Sequence, residues 1–347
     1  MTTLTINWLD LLTQNNADIE QGSPDAQGNF FAPLTDLGLI ALTGDDAANF
    51  LHNQVTNDVV QLPLDQIRLA GYCSPKGRLL ATLLMWKTAD TIFLQLPRTI
   101  QATVQKRLQM FILRAKAKLV DATESYATLG LGGIAVAAAL APWFAELPAL
   151  PYAKIANDAG TLMRCDDANG VARYQWITTP EIAAAAWPVL LQTLPVVDAR
   201  VWRLGQIAAG IPQITLPTQE QFVPQMINYE VVGGVNFKKG CYPGQEIVAR
   251  SQYLGKNKRR AVLANVAAID IAAAAEVFSS EDPLQPCGMI VNAERLNDAS
   301  STCLLEIKLA ALENGSVHLG SIDGPQLHFL PMPYAMPDPI VPIAKLV

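Results

Sequence analysis

One apolar hairpin constrains the fold of this chain more than any other segment. Residues 69–74 (LAGYCS) and 78–86 (RLLATLLMW) are rich in strand-forming residues, and a Pro-Lys-Gly turn separates them. Another apolar strand follows at 92–97, and the helical spacing of apolar residues over 98–113 leads to a strand at 117–123. A hairpin, a strand, a helix and a strand in this order predict an α+β unit with a mostly antiparallel sheet.

The sequence then repeats this pattern weakly. We predict a helix over 133–145, strands near 161–166 and 172–178, and a helix that begins at Pro180, because proline is favoured in the first helical turn. Residues 198–212 predict a further helix, which a glycine and a proline end. The two rounds together predict two α+β subdomains.

The pattern of predicted secondary structure changes near Lys258. Short strands separated by turn-rich gaps follow, and this spacing is typical of a small β-barrel or sandwich. We therefore divide the 347 residues into 1–257, with two interleaved α+β subdomains, and 258–347, a small C-terminal β-barrel. The basic run GKNKRR at 255–260 lies at this junction, where it could contact phosphates or form a solvated linker.

Composition limits the classes of function. The formal charge is −6 and the pI is near 5.2, so the chain lacks the broad cationic surface of a general nucleic-acid binder. The five cysteines are far apart without a CxxC pair, and the three histidines are scattered, so we expect neither a disulfide framework nor a tightly bound metal. The N-terminus does not resemble a signal peptide, and no segment is apolar enough to favour a membrane span. We expect a cytoplasmic protein.

The stretch NFKKGCYPGQEIVAR, residues 236–250, is the strongest candidate for chemistry. Cys241 follows two lysines, and QEIVAR after the turn predicts a helix start; cations and a helix N-terminus both stabilise a thiolate. Gly240 and Gly244 bracket the cysteine and suit a tight loop. No histidine nearby in the sequence supplies a general base, so a protease-like role is not indicated. The alternative is a small buried hydrophobe beside a turn.

This stretch resembles the signature of the YgfZ family, folate-binding proteins related to the aminomethyltransferase, or T-protein, of the glycine cleavage system. The residues that match the signature are Lys239, Gly240, Cys241, Tyr242, Pro243, Gly244, Gln245 and Glu246, with Arg250 after them. Segments 201–212 (VWRLGQIAAGIP) and 222–228 (FVPQMIN) are similar to two further family segments, and 37–46 and 75–83 match loosely. The resemblance spans most of the chain and is strongest over 201–250.

The resemblance implies a T-protein-like α+β fold, with three subdomains around a central opening that holds tetrahydrofolate. It also implies a role in the assembly or repair of iron–sulfur enzymes, such as those that thiolate tRNA, and thereby in tRNA modification. In the family the lysine and the cysteine of the signature carry function, so the resemblance implies functional roles for Lys239 and Cys241. The residues expected at the folate pocket are Trp202, Gln225, Asn228 and, where the family has a second tryptophan, Leu37.

Two other functions compete with this accessory role. A folate-dependent one-carbon transferase would need the aspartate pair of the aminomethyltransferases, but the matching positions are Ala81 and Thr82, which carry no carboxylate. A protein that binds tRNA directly is disfavoured by the acidic balance of the chain.

The signature also carries three expectations for the structure. Cys241 should lie at the rim of the folate opening, and Lys239 should keep its thiol partly ionised. Glu246 and Arg250 are four residues apart, so on a helix they would share a face and pair as an architectural contact.

Overall fold

The computed structural model describes residues 8–253 and 257–336. Its helices are α1 (Trp8–Gln14), α2 (Asn16–Gln21), α3 (Ala47–His52), α4 (Arg98–Gln109), α5 (Val136–Leu140), α6 (Pro180–Leu190), α7 (Ala199–Ala208) and α8 (Gln245–Tyr253). Its strands are β1 (Phe30–Pro33), β2 (Leu37–Thr43), β3 (Ile67–Cys73), β4 (Leu79–Lys87), β5 (Thr91–Pro97), β6 (Lys118–Asp121), β7 (Ala127–Gly132), β8 (Lys154–Asn157), β9 (Gly160–Ala168), β10 (Val171–Thr178), β11 (Arg259–Val266), β12 (Glu276–Ser279), β13 (Asp282–Arg295), β14 (Ser301–Lys308), β15 (Val317–Leu319) and β16 (Leu327–Leu330).

The first sheet contains the predicted hairpin. Its five antiparallel strands lie in the order β3-β4-β5-β2-β6. Gly77, at φ +69°, closes the turn between β3 and β4, a backbone conformation that favours glycine. Helix α4 packs on this sheet through Ile100, Val104 and Leu108, the apolar positions whose spacing predicted it. The α+β prediction is confirmed for this region.

The second sheet has the strand order β1-β7-β10-β9-β8, again with antiparallel pairs. Strand β1 precedes the whole first unit in the chain, so the two sheets are interleaved in sequence. Helix α6 begins at Pro180 as predicted, and the Thr179 hydroxyl caps it by accepting the Ile182 N–H at 3.4 Å.

Two helices are shorter than the sequence predicts. Helix α4 ends at Gln109 rather than at 113, because Met110 and Leu113 are exposed and give it no further buried face. Helix α5 covers Val136–Leu140 rather than 133–145, because Pro142 lacks the N–H that the next turn would use.

The C-terminal sheet is a curled half-barrel of six strands, in the order β15-β12-β13-β14-β11-β16. Of the basic run at 255–260, residues 255 and 256 lie outside the described residues. Arg259 donates to the Glu306 carboxylate at 2.8 and 2.9 Å, and the buried Arg260 pairs with Glu230. Both arginines are therefore already paired with carboxylates of the protein itself, which disfavours a phosphate-binding role for them.

Apolar clusters join the three sheets. Leu39, Trp86 and Phe93 of the first sheet pack with Met163 and Ile177 of the second. A further cluster joins β3, β4, α7 and α8 to strands β11, β13 and β14 of the barrel. The space left between these clusters forms a cavity.

Candidate functional site

The central cavity lies between the first sheet, the second sheet and helix α7. It contains about 770 Å³ of empty space, a value that includes space open to solvent. Its wall combines apolar side chains with several polar and charged ones. The residues that the following arguments use are Leu37, Thr82, Gln95, Tyr152, Asp166, Gln175, Trp202 and Arg203.

Trp202 lines the central cavity, but its surroundings restrict how it can contact a ligand. Asp198 caps the helix that carries it, accepting the Arg200 N–H at 2.7 Å. The Arg173 guanidinium carbon lies 4.1 Å from the ring centre, and the ring packs so closely on Gly130 that a Cβ there would approach Cε3 to 2.5 Å. With 3% of its surface exposed, Trp202 cannot offer a free flat face on which a ligand ring could stack.

Leu37 also lines the central cavity, and with Gln95 it separates this cavity from a neighbouring one beneath α1. The position expected from the family's second pocket tryptophan thus faces the central cavity. Its aliphatic side chain supplies apolar contact without aromatic stacking.

Gln225 and Asn228 lie elsewhere. Gln225 Nε2 donates to the Val248 carbonyl at 2.8 Å, and Asn228 Nδ2 donates to the Ala261 carbonyl at 2.9 Å. Within the described part of the chain, neither side chain belongs to the wall of the central cavity. Both are buried ties that hold α8 and strand β11 in place, so we assign them structural roles.

The aminomethyltransferase carboxylate has no counterpart on β4. Ala81 faces the core of the first sheet and is fully buried. Thr82 points to the central cavity, where its hydroxyl accepts the Ile214 N–H at 3.0 Å. A threonine that is committed to a main-chain donor cannot serve as a proton acceptor for a reacting amine.

Lys239 of the signature points into the protein. Its ammonium donates to the carbonyls of His52, the last residue of α3, and Val55, the latter at 3.0 Å. A cation at a helix C-terminus meets the negative end of the helix dipole. Burial nevertheless lowers the pKa of Lys239 to about 8. Lys239 therefore fastens the signature loop to the end of α3.

Cys241 is a free, exposed thiol, unlike the other four cysteines, which are buried. The expectation that it lies at the rim of the cavity is not met, since among the described residues the wall of the central cavity does not include it. Cys165 does belong to that wall, but burial raises the pKa of its thiol to about 11, so it stays protonated. The exposed sulfur is thus available at the surface rather than inside the cavity.

The two glycines around Cys241 are not equivalent. Gly244 has φ +80°, and a Cβ there would lie 2.4 Å from the Ser74 oxygen and 2.6 Å from Gly77 Cα. Glycine is required at this position, because the loop rests directly on the β3–β4 turn. At Gly240 a Cβ would meet only His52 Nε2, at an ordinary 3.6 Å.

Helix α8 begins at Gln245, as QEIVAR predicted. Glu246 and Arg250 are both exposed on it, but they form no ion pair in the described structure, so the predicted architectural contact is wrong. On an exposed face such a pair contributes little, and solvation of each charge competes with it. Tyr242 is buried instead, with its ring 4.9 Å from the Lys239 ammonium.

The fold brings a histidine to the signature that the sequence analysis missed. His52 Nε2 faces Gly240, and His52 Nδ1 lies 3.2 Å from Asp58 Oδ1. Burial and the charge of Lys239 lower the pKa of His52, whereas Asp58 raises it. No local pattern could reveal this contact, because α3 and the signature are far apart in sequence and meet only in the fold.

The described residues show neither a cluster of metal ligands nor a helix that could span a membrane. They contain no group of three histidine, cysteine or acidic side chains placed to hold a metal ion. None of their helices is both long and apolar enough to span a bilayer.

Comparisons with known proteins agree with this geometry. Residues 32–165 match the family described as the GCVT N-terminal domain. The tRNA-modifying protein YgfZ of Escherichia fergusonii is 29% identical over 312 residues, which cover 88% of this chain and 93% of that protein. The protein of the same name from Escherichia coli is 28% identical over the same shares of both chains.

A solved structure shows the fold. The glycine cleavage system aminomethyltransferase T from Bartonella henselae matches with a TM-score of 0.70 and 16% identity, over 90% of this chain and 86% of that one. The resemblance that the signature indicated is therefore confirmed: this chain is similar over most of its length to the tRNA-modifying proteins named YgfZ and has the fold of the glycine cleavage T-protein.

Proposed function

We propose that this chain binds tetrahydrofolate or a related folate in the central cavity and acts as an accessory protein in the assembly or repair of iron–sulfur enzymes. Through clients such as tRNA-thiolating enzymes it would support tRNA modification. The observation that carries the proposal is an open cavity between the two N-terminal sheets, walled by Leu37 and Trp202, in a chain that also presents the exposed signature thiol Cys241.

The position of Cys241 favours work on a partner rather than on the folate. The thiol is exposed and lies outside the wall of the central cavity. Lys239 and Gly244 hold its loop against α3 and the β3–β4 turn, so the sulfur is presented on a fixed support. A surface thiol on a rigid loop can reach the exposed site of a client enzyme.

The polar groups around β4 favour an accessory role over one-carbon transfer. Thr82 stands where a catalytic carboxylate would be needed, and its hydroxyl is already hydrogen-bonded to the Ile214 main chain. Without a carboxylate the reacting amine of a one-carbon donor would lack its proton acceptor. We therefore expect bound tetrahydrofolate without aminomethyl turnover.

Two measurements test the proposal. Isothermal titration of the purified protein with tetrahydrofolate should show one saturable site. In cells that lack their own YgfZ-type protein, the wild-type chain should restore iron–sulfur enzyme activity and thiolated tRNA. The variants Cys241→Ser and Lys239→Ala should fail, whereas Lys238→Ala, a change at an exposed neighbouring lysine, should rescue like the wild type.

The outcomes separate the parts of the proposal. Full rescue by Cys241→Ser would show that the function does not require the thiol. If the wild-type protein binds no folate, the folate part of the proposal is wrong. Formation of free aminomethyl products with a one-carbon donor would favour the transferase alternative instead.

A further inference from the structure

Two cavities meet at one pair of side chains. The central cavity and a second cavity, which opens beside Arg68 and Tyr334, share Tyr152 and Asp166 in their walls, together with three apolar residues. Asp166 is only half-buried, so a ligand in either cavity can reach its carboxylate. A charged group at such a junction can orient a ligand that extends through it.

The charged groups in the wall of the central cavity differ in whether a group of opposite charge lies within ion-pair distance. Arg203 donates to Asp36 at 2.8 Å and to Glu294 at 2.6 Å, so each of these two carboxylates has a cation within ion-pair distance. Asp166 has no cation within ion-pair distance among the described residues. The buried Arg173 is near enough to attract it, but Arg173 directs hydrogen bonds to the Trp202 carbonyl and to Gln206. The carboxylate therefore retains unused acceptor capacity inside the site.

Tyr152 holds this carboxylate in position. Its hydroxyl donates to Asp166 Oδ2, and burial together with the charge of Asp166 raises the pKa of Tyr152 well above its usual value, so the phenol remains a donor. The main chain of Tyr152 is fixed as well, since its N–H donates to the Arg164 carbonyl and its carbonyl accepts the Ile67 N–H, both at 2.8 Å. Its φ of +65° is unusual for a bulky residue and is maintained by these bonds.

We propose that Asp166 is the specificity-determining anchor of the central cavity and selects ligands that present two adjacent N–H donors. This inference rests on the proposed function, because the 2-amino-4-oxopyrimidine edge of a folate is such a donor pair. An ionised carboxylate offers about four lone-pair sites on its two oxygens, so Asp166 can keep the Tyr152 bond and still accept two more. Tyr152 is then a positioning residue.

The test uses ligands that either keep this edge or lose its amino donor. The probes are tetrahydrofolate, 6-methylpterin, which has the same edge but no tail, and a 2-desamino-2-methyl folate analogue, which lacks the amino donor. Asp166→Asn should weaken the binding of the first two by roughly 10- to 100-fold, as expected for a bond to a charged group. Binding of the analogue should change by less than about threefold, since its missing donor removes one of the bonds.

The neighbouring residue Asp167 provides a matched control. Asp167 is exposed, pairs with Arg164 and lies outside the described wall of the cavity, so Asp167→Asn should leave all three affinities unchanged. Equal losses for tetrahydrofolate and the analogue in Asp166→Asn would mean a general structural effect and would overturn the inference. So would unchanged affinities.

The same experiment distinguishes the inference from the proposed function. If the wild type binds 6-methylpterin but not tetrahydrofolate, the folate proposal fails, and the effect of Asp166→Asn on methylpterin decides the inference alone. If the wild type binds neither pterin nor folate, both proposals fall.

Discussion

Replacement of Lys239 by methionine should remove a pH-dependent part of the stability of this protein. Methionine keeps most of the side-chain volume but loses the ammonium that donates to the carbonyls of His52 and Val55. Burial lowers the pKa of Lys239 from 10.5 to about 8. Between these values the unfolded chain holds the proton and the folded chain does not, so the stability of the wild type rises with pH.

The size of this effect follows from the displacement of the pKa. Each unit corresponds to about 1.4 kcal/mol, so the full rise between pH 8 and 10.5 is at most about 3 kcal/mol, and about 2 kcal/mol is reached by pH 9.5. Water near the rim of the loop would reduce these values. The free energy of unfolding should therefore increase in the wild type relative to Lys239→Met by about 1–2 kcal/mol from pH 7 to pH 9.5.

Urea unfolding followed by tryptophan fluorescence measures this difference at each pH. Lys238→Met is the matched control, because Lys238 is exposed and its replacement should give no pH-dependent difference. If the wild type and Lys239→Met differ by the same free energy at every pH, the ammonium is not the buried group described above.

Three further substitutions probe the loop, the cavity and the histidine. Gly244→Ala should destabilise the protein by about 1–3 kcal/mol in thermal unfolding, because it adds a Cβ at positive φ against the β3–β4 turn, whereas Gly240→Ala should have little effect. Tyr152→Phe should weaken tetrahydrofolate binding by about two- to tenfold in calorimetry, because Asp166 loses its fixed orientation. Asp58→Asn should lower the pKa of His52 further in an NMR titration, because the carboxylate that raises it is gone; an unchanged value would exclude the contact.

Local patterns predicted those parts of the fold whose cause is local. The strand-forming residues of the hairpin, the spacing in α4 and Pro180 at the start of α6 each depend on a few neighbouring residues. Helix α8 was predictable for the same reason, since it follows a turn that needs glycine at Gly244. The length of α4 was not, because burial by the rest of the chain decides where this helix stops. The end of α5 did have a local cause, Pro142, which the predicted range 133–145 did not take into account.

The candidate site depended on contacts between distant segments. The family resemblance placed Trp202 and Leu37, and both lie in the wall of the central cavity, but it could not reveal that Arg173 covers the indole. Nor could it show that Lys239 is bound by carbonyls of α3. No sequence pattern around Asp166 marks it as a site residue, because its importance comes from the cavity that three elements form around it.

The cavity and the thiol share one support even though they are separate. Strand β4 contributes Thr82 to the wall of the central cavity, and the turn at its start, which contains Gly77, carries Gly244 of the signature loop. A two-stranded antiparallel ribbon inside a sheet is stiff, because its ladder bonds and cross-strand contacts fix its register. A ligand that orders β4 in the cavity would therefore also restrict the turn on which the Cys241 loop rests. If the chain binds folate as proposed above, folate binding and thiol presentation would be coupled through the hairpin without any direct contact between the folate and the sulfur.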